Sequence, residues 1–264
     1  MIMQIINLAN ECETYKDAVV TNISDSGKTK SSVETVICEH YIKILINGLP
    51  VFTLACTPQD LSELVIGRLL TEQIVTKLEE IEKLYICAKG NLAEVRLSKN
   101  IQLHSADPFI ADCCTENKQF LSSSDKTTLR RLPAVSVSPE TVFELASGVK
   151  KDTALHKLTG GTHSCSIRTS DGTVKSFEDI GRHNALDKAV GYMFLNKINP
   201  AECMLFTTGR TSSDMARKTI AAGIPVLISK AVPTTEALKL AQEYGLRLIC
   251  RAWPDSYKQY LLRN

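Results

Sequence analysis

The chain has 264 residues, of which 44% are apolar and 23% are charged, a composition typical of globular proteins that bury a core without disulfide cross-links. Its 31 basic and 29 acidic residues leave a net charge of +2, which argues against a protein that binds nucleic acid or membrane surfaces through a strong positive field. Nine scattered cysteines, an odd number, do not indicate a disulfide framework. Residues 1–18 lack the features of a signal peptide and no run of about 18 apolar residues occurs, so we expect a cytoplasmic protein without membrane spans.

The first part of the chain predicts a small α+β domain over residues 33–110, preceded by a loose polar lead-in at residues 1–32. Apolar residues alternate on both sides of Asn47-Gly48, which is the strongest short signal of a β-hairpin. Thr57-Pro58 then predicts the start of a helix, with the Thr57 hydroxyl as its cap and leucines at helical spacing as far as residue 70. A second hairpin is predicted at 84–88 and 92–97.

Residues 98–132 interrupt this pattern. The segment is rich in serine, threonine, lysine and aspartate, and it contains the adjacent pair Cys113-Cys114. A long segment without regular structure inside a compact chain is usually functional or a linker. We therefore place a domain boundary here and predict a mobile cysteine loop or linker at residues 111–132.

The last part of the chain, residues 133–264, predicts a layered α/β domain. A helix opens at Ser138, a hairpin follows at 164–168 and 173–177, and a helix follows that from Arg182 to about residue 195. Strands at 203–207, 226–229 and 246–250 then alternate with helices that begin near residues 213 and 235. This alternation predicts a sheet with parallel pairs of strands.

Cys113 is the candidate nucleophile. A thiol reacts as the thiolate and needs access, and a cysteine in a polar loop has that access. A persulfide carrier needs such a cysteine, because one partner loads it and another unloads it. The alternative is a loop cysteine without a role, and Cys114 is interpreted as a bystander.

Three further stretches are candidate binding elements. Gly160-Gly161 permits positive φ and close approach of the backbone to a ligand, although a plain glycine turn explains the pair equally well. The run Glu178–Lys188 places acids, Arg182 and His183 at a strand-to-helix corner, where ligands of α/β sheets collect, and this favours a functional corner over the alternative of a solvated turn. In Thr208–Asp214, Gly209-Arg210 leads to a helix N-terminus that could seat an anion, with an ordinary serine cap as the compatible alternative.

No metal site of recognised spacing occurs in the sequence. The five histidines show no paired helical spacing, and His163-Ser164-Cys165 lacks the His-x-Glu and Pro-Cys-x-x-Cys pattern of the zinc deaminases. We expect no metal ion to be held directly by the protein.

These stretches, in this order, resemble the formate dehydrogenase accessory sulfurtransferase family (FdhD/NarQ). The resemblance covers roughly residues 33–260 and includes Ile46-Asn47-Gly48 and Cys56-Thr57-Pro58 upstream. The matching stretches downstream are Thr159-Gly160-Gly161-Thr162-His163, Glu178-Asp179-Ile180-Gly181-Arg182-His183-Asn184-Ala185-Leu186-Asp187-Lys188, Thr208-Gly209-Arg210 and Pro233-Thr234. The run Gly181–Lys188 is highly specific.

The resemblance implies a sulfurtransferase that takes sulfur from a cysteine desulfurase as a persulfide. It passes this sulfur to the molybdenum bis(molybdopterin guanine dinucleotide) cofactor, bound as a substrate, before the cofactor enters formate dehydrogenase. The family's larger domain is similar to the cytidine deaminase fold without its zinc ligands, so a three-layer, cytidine-deaminase-like α/β domain with a smaller α+β N-terminal domain is expected. Family members are usually homodimers.

The family's functional residues carry over position by position. Its loop contains Cys-Gly-x-Cys-Gly, and alignment on Lys118 and Leu121 places the first cysteine at Cys113 and the second at Glu116. The nucleophile position is thus kept and the partner cysteine is not, which leaves a relay through a single cysteine.

A stretch near the C-terminus of family members, of Gly-Phe-x-Arg type, contacts the dinucleotide. Anchored on Tyr260 it maps to residues 250–256. The cofactor-binding residues implied by the resemblance and by the candidate elements are Gly160, Gly161, Arg182, His183, Gly209, Arg210, Arg251, Ala252, Trp253, Pro254, Asp255 and Ser256. Trp253 could stack on guanine.

Two rival interpretations remain open from the sequence. A molybdenum-cofactor-binding chaperone without a sulfur step would bind the dinucleotide and would not need Cys113, and the missing second cysteine favours it. A nucleobase deaminase on the related fold would need zinc, whose ligands are absent from the sequence.

Overall fold

The structure is a computed structural model that describes residues 3–10, 12–98 and 129–260, with backbone alone at 149–152. Cys113, Cys114 and the rest of the predicted cysteine loop, apart from residues 129–132, lie outside the described residues. The strands are β1 (Gln4–Asn7), β2 (Tyr15–Ile23), β3 (Thr29–Ile37), β4 (His40–Ile46), β5 (Leu49–Cys56), β6 (Ile81–Ile86), β7 (Leu92–Leu97), β8 (His163–Arg168), β9 (Val174–Asp179), β10 (Met204–Thr207), β11 (Val226–Ser229), β12 (Arg247–Cys250) and β13 (Lys258–Gln259). The helices are α1 (Leu61–Thr71), α2 (Pro139–Asp152), α3 (Ala154–Thr159), α4 (Arg182–Leu195), α5 (Ser213–Ala221) and α6 (Thr235–Tyr244).

The N-terminal half is built on a five-stranded sheet in the order β1-β6-β7-β4-β5. Both predicted hairpins are confirmed, because β4 pairs with β5 and β6 pairs with β7 in antiparallel register. Asn47 and Gly48 adopt positive φ angles of 49° and 82° at the first turn, the conformation that an Asn-Gly hairpin requires. Alternate residues of β4, including Ile42 and Ile44, are fully buried in a cluster that also contains the apolar residues of α1.

The prediction of a loose lead-in over residues 1–32 is wrong for most of that stretch. β1 adds to the edge of the sheet in parallel with β6. β2 and β3 form a two-stranded ladder of nine pairs that turns at Gly27, where φ is 75°. The lead-in is polar in composition, yet β-branched residues such as Val19 and Val33 recur along both strands and favour extended backbone.

The C-terminal half contains a six-stranded sheet in the order β13-β12-β11-β10-β8-β9. The predicted parallel pairs are confirmed, since β10, β11 and β12 run parallel. Leu205 and Leu227 point into the core beside α4, α5 and α6, whereas Phe206 and Ile228 pack against α2 on the opposite face. The chain therefore has the mixed α/β architecture expected, and the specific likeness to cytidine deaminases stays a prediction.

The two halves share one interior. α1 of the N-terminal half crosses α4 of the C-terminal half at Gly67 and Gly191, where the backbones touch. A Cβ added at Gly191 would lie 2.6 Å from the carbonyl carbon of Glu63. One buried cluster joins residues of both halves, so the predicted boundaries at 33–110 and 133–264 separate two sheets but not two hydrophobic cores.

The first helix begins later than the sequence predicted. α1 starts at Leu61, and its N-cap is Asp60 in the left-handed conformation, without a side-chain cap. The Thr57 hydroxyl, predicted as the cap, instead donates to the Glu178 carbonyl at 3.2 Å in the other half. Among the described residues, no helix is long and apolar enough to cross a membrane.

Candidate functional site

A cavity of about 900 Å³ opens at the carboxyl edge of the parallel strands of the C-terminal sheet. Thr208, Lys230 and Ala252 line it, and they lie just beyond the ends of β10, β11 and β12. α2 and α3 form the opposite wall through residues such as Ala146 and His156. Ligands of open α/β sheets bind at such an edge, because successive strands deliver their last residues to the same place.

The cavity includes some of the residues that the sequence indicated and leaves out others. The residues from that set that line it are Gly160, Gly161, Ala252, Trp253 and Pro254. Those that do not line it are Arg182, His183, Gly209, Arg210, Arg251, Asp255 and Ser256. Cys113 lies outside the described residues.

Trp253 and Lys230 stand together at the mouth of the cavity. Trp253 is 43% exposed, and the Lys230 ammonium lies 4.8 Å from the centroid of its ring. A tight turn, in which the Trp253 N–H donates to the Ser256 carbonyl at 2.7 Å, presents the ring. An aromatic face next to a cation suits a ligand that combines a flat base with an anionic group. Lys230 was not among the site residues predicted from the sequence. Its position directly after a buried strand could have indicated it as a binding residue.

Ser164 presents an unused hydroxyl in the cavity wall. The residue is only 2% exposed, and its Oγ has no hydrogen-bond partner among the described residues. Its backbone is fixed, because the Ser164 N–H donates to Thr208 Oγ1 at 3.0 Å and its carbonyl accepts from the Thr208 N–H at 3.0 Å. A buried hydroxyl without a partner costs about 1–3 kcal/mol, so Ser164 is a favourable point of contact for a bound polar group.

The charges that line the cavity favour an anion. Its described lining contains Lys157, Lys230, His156 and His163, and no carboxylate. Burial, assisted by the nearby Arg182 guanidinium, lowers the pKa of His163, so this imidazole is neutral at physiological pH and can donate or accept one hydrogen bond. A negative ligand therefore meets two ammonium groups and no carboxylate of the described lining.

Gly160-Gly161 has a structural explanation. Gly160 ends α3 with φ at 67°, and a Cβ on Gly161 would come within 2.7 Å of the Ile37 side chain of β3. Both backbone N–H groups are already bonded, that of Gly160 to the His156 carbonyl and that of Gly161 to Thr159 Oγ1. These amides are thus already bonded within the wall, and the pair shapes the cavity wall.

Gly209 permits the Arg182 side chain to lie against the backbone. A Cβ on Gly209 would sit 2.8 Å from Cβ of Arg182, while the Gly209 carbonyl accepts from Ser229 Oγ at 2.8 Å. Arg210 is exposed beside this contact. Ser212 occupies the N-cap position of α5, as predicted for that serine or its neighbour, but its side chain makes no capping bond.

The corner at Glu178–Lys188 mainly joins the two halves of the chain. Lys188 is fully buried, and its ammonium lies 2.8 Å from Asp179 Oδ2 and 2.7 Å from Thr57 Oγ1. Asp179 also accepts from the Thr57 N–H at 3.1 Å and from Asn184 Nδ2 at 3.0 Å. Every one of these polar groups has an internal partner, so this part of the corner is a structural joint.

A second buried network centres on Asp187, the residue that precedes Lys188 in α4. Asp187 accepts from the Lys218 ammonium at 2.8 Å and from Thr71 Oγ1 at 2.7 Å, and the Arg68 guanidinium lies 3.5 Å away. Burial and the surrounding cations, Lys218 foremost, lower the pKa of the neighbouring His183 to about 3. His183 is therefore neutral at physiological pH, and it belongs to this joint rather than to the cavity.

The described cysteines are all free, and we expect the buried ones to be unreactive as thiols. Burial raises the pKa of the Cys250 thiol to about 12 and that of Cys203 to about 11. It raises the pKa of Cys56 and Cys165 as well. Among the described residues, no three histidine, cysteine or acidic side chains are grouped so that they could hold a metal ion.

Known proteins share both the sequence and the architecture. Residues 37–262 match the model of the FdhD/NarQ family. A protein of Staphylococcus haemolyticus named sulfur carrier protein FdhD is 31% identical over 229 residues, which cover 85% of this chain and 87% of that protein. A Bacillus licheniformis protein of the same name is 31% identical over 240 residues, covering 89% of this chain and 91% of its own.

A solved structure has the same fold. The crystal structure of a formate dehydrogenase accessory protein from Desulfotalea psychrophila superposes with a TM-score of 0.77 and covers 95% of this chain and 98% of that one, at 22% identity. The family match spans the six-stranded sheet, the five-stranded sheet apart from β1, the joint between them and the cavity. The chain therefore belongs to the FdhD/NarQ family.

Proposed function

We propose that this chain is a sulfur carrier that serves a formate dehydrogenase. It takes sulfur from a cysteine desulfurase onto Cys113 and passes it to the molybdenum bis(molybdopterin guanine dinucleotide) cofactor, which is its substrate. Membership of a family whose relatives are named sulfur carrier proteins supports the sulfur step. The observation that carries the substrate is the cavity, where an exposed tryptophan, two lysines and an unused buried hydroxyl meet without a carboxylate.

The cavity suits one guanine nucleotide of the cofactor. Trp253 offers a face on which guanine stacks, a contact worth about 1–3 kcal/mol per base. Lys230 and Lys157 stand where the phosphates would follow, and Ser164 can bond a polar edge of the ligand. Arg210 and Arg251 are exposed beside the same edge of the sheet and could bind further phosphate groups as proposed contacts. In this scheme a homodimer would present two such cavities to the two nucleotides of one cofactor.

The loading step is a thiol–persulfide exchange. The Cys113 thiolate attacks the terminal sulfur of the desulfurase persulfide, the new S–S bond forms, and the desulfurase cysteine leaves as a thiolate. When the terminal sulfur is passed on, Cys113 leaves as a thiolate and the acceptor supplies the electron pair of the new bond. A single cysteine is sufficient for both steps, which fits the presence of Glu116 where family members carry a second cysteine. The described cysteines are all free. This supports our placement of the persulfide exchange in the reducing cytoplasm.

The sulfur step is tested by intact mass. The protein is incubated with a cysteine desulfurase and cysteine, and wild type is compared with Cys113→Ala and Cys114→Ala. We expect wild type and Cys114→Ala to gain one sulfur atom and Cys113→Ala to gain none. A Cys113→Ala variant that still activates formate dehydrogenase would refute the sulfur relay and favour the cofactor chaperone.

The binding step is tested by fluorescence. Trp253 is the single tryptophan of the chain, so its emission reports the mouth of the cavity alone. We expect guanosine monophosphate to quench this emission, and Lys230→Met to weaken the affinity about tenfold. The matched control is Lys239→Met, because Lys239 is an exposed lysine paired with Glu236 on α6, away from the cavity lining. Equal affinity in all three proteins would refute the role of Lys230.

A further inference from the structure

We propose that Glu178 is a positioning residue that holds one wall of the cavity in its ligand-binding shape. The inference rests on the proposed function, since it concerns the same cavity. The wall consists of α3 and the turn Gly160-Gly161-Thr162, which together supply much of the lining opposite the strand ends. Glu178 is the next-to-last residue of β9 and does not itself line the cavity.

Three donors of this wall converge on the Glu178 carboxylate. The backbone N–H of Leu155 donates to Oε2 at 2.9 Å, and the backbone N–H of His156 donates to Oε1 at 2.7 Å. The Thr162 hydroxyl donates to the same Oε1 at 2.9 Å. The two amides belong to the first turn of α3 and the hydroxyl belongs to the turn that follows it, so one carboxylate ties both ends of the wall together.

The bonds to Glu178 matter for α3, because the helix buries none of its own residues. The helix has six residues, none of them buried, and isolated helices of that length are not stable in water. Other contacts of this wall include the bond between His156 Nδ1 and the Thr162 carbonyl at 2.7 Å and the contact of Gly161 with Ile37. A carboxylate at the N-terminus of a helix also interacts favourably with the helix dipole.

The side chain and the backbone of Glu178 serve different purposes. Its backbone carbonyl accepts from the buried Lys188 ammonium at 3.0 Å and from Thr57 Oγ1 at 3.2 Å, which fixes the strand end to the joint between the halves. These bonds do not involve the carboxylate. Replacement of the side chain therefore releases the cavity wall while the joint stays intact, and an effect on ligand binding can be separated from an effect on folding.

The experiment compares Glu178→Ala and Glu178→Gln with wild type and with Glu202→Gln. Glu202 is a matched control, because it also accepts a side-chain bond, from Asn199, and lies in the same half outside the cavity. Affinity for guanosine monophosphate is measured by Trp253 quenching, and hydrogen exchange is measured at the Leu155 and His156 amides. The urea midpoint of each variant shows that it is folded.

We expect Glu178→Ala to bind about tenfold more weakly and to exchange both amides faster, at an unchanged urea midpoint. Glu178→Gln keeps the volume and one acceptor oxygen, so it should lie between Glu178→Ala and wild type, and it replaces Glu178→Ala should that variant unfold. Wild-type affinity together with wild-type exchange in both Glu178 variants would overturn the inference and leave the proposed function standing. Absence of quenching in wild type would refute nucleotide binding instead, and the exchange rates alone would then decide whether Glu178 holds the wall.

Discussion

At the crossing of α1 and α4 we predict an effect of mutation on stability that is opposite to the effect expected from helix propensity. Replacing a helical glycine by alanine normally stabilises a helix by about 1 kcal/mol. At Gly191 the new Cβ would lie 2.6 Å from the Glu63 carbonyl carbon and closer still to its oxygen, and these are backbone atoms that cannot rotate away. Carbon atoms in contact sit about 3.5–4.0 Å apart, so the helices must separate by about 1 Å.

This separation carries a calculable penalty. Overpacking a core costs about 1–3 kcal/mol, and a clash with backbone on an intact helix belongs at the upper end or beyond. The same movement stretches the 2.7 Å hydrogen bond from Thr71 Oγ1 on α1 to Asp187 on α4, which lies at the crossing. We therefore expect Gly191→Ala to lower the free energy of unfolding by about 3 kcal/mol despite its better propensity.

Urea denaturation followed by circular dichroism measures the effect. The control is Gly148→Ala in α2, where a Cβ would meet no atom within 4 Å, and here we expect a gain of about 1 kcal/mol. The two alanine variants should thus move in opposite directions. A Gly191→Ala variant as stable as wild type would show that the two helix backbones are not in direct contact at this crossing.

Three further predictions concern buried groups. Lys188→Met leaves the Asp179 carboxylate buried without its cation, and we expect a loss of about 3–5 kcal/mol in urea denaturation; a loss below about 1 kcal/mol would contradict the buried pair. Because the folded pKa of His183 is about 3 and its ordinary value is 6.5, the unfolded chain binds a proton between these pH values that the folded chain does not. Stability should therefore fall by about 2 kcal/mol from pH 7 to pH 5 in wild type and by less in His183→Gln, and equal slopes would refute the assignment. Burial raises the pKa of Cys56 and Cys165, so iodoacetamide at about pH 8 should modify them in urea and not in the folded protein, as peptide mass mapping would show.

Local patterns in the sequence predict most of the elements that carry the cavity. The Asn47-Gly48 turn, the hairpin of β8 and β9 and the parallel series from β10 to β12 all follow from alternation and turn residues. Ser138 caps α2 as predicted, accepting from the Thr141 N–H at 3.2 Å. These features could be read because the residues that determine each of them lie within a few positions of one another.

Features that depend on distant partners could not be read in this way. Lys188 and Asp187 look like exposed charges of a functional corner, and their burial follows only from Thr57, Arg68 and Lys218, which come from elsewhere in the chain. α3 has no buried apolar stripe from which it could have been predicted. A carboxylate from β9 holds it in place instead. In this chain Asp187 and Lys188 of the run Gly181–Lys188 thus serve mainly to join the two halves.

The joint between the halves also sets an order of events during synthesis on the ribosome. α1 ends at Thr71, but its partner α4 begins at Arg182, more than 100 residues later. At translation rates of about 5–20 residues per second, α4 is synthesised on the order of 5–20 seconds after α1. During that interval Gly67 and the apolar residues around it are open to solvent and to chaperones. Folding of the N-terminal sheet is therefore completed only after most of the chain has emerged, and variants that loosen this crossing should lower the yield of folded protein in cells more than their equilibrium stability alone would suggest.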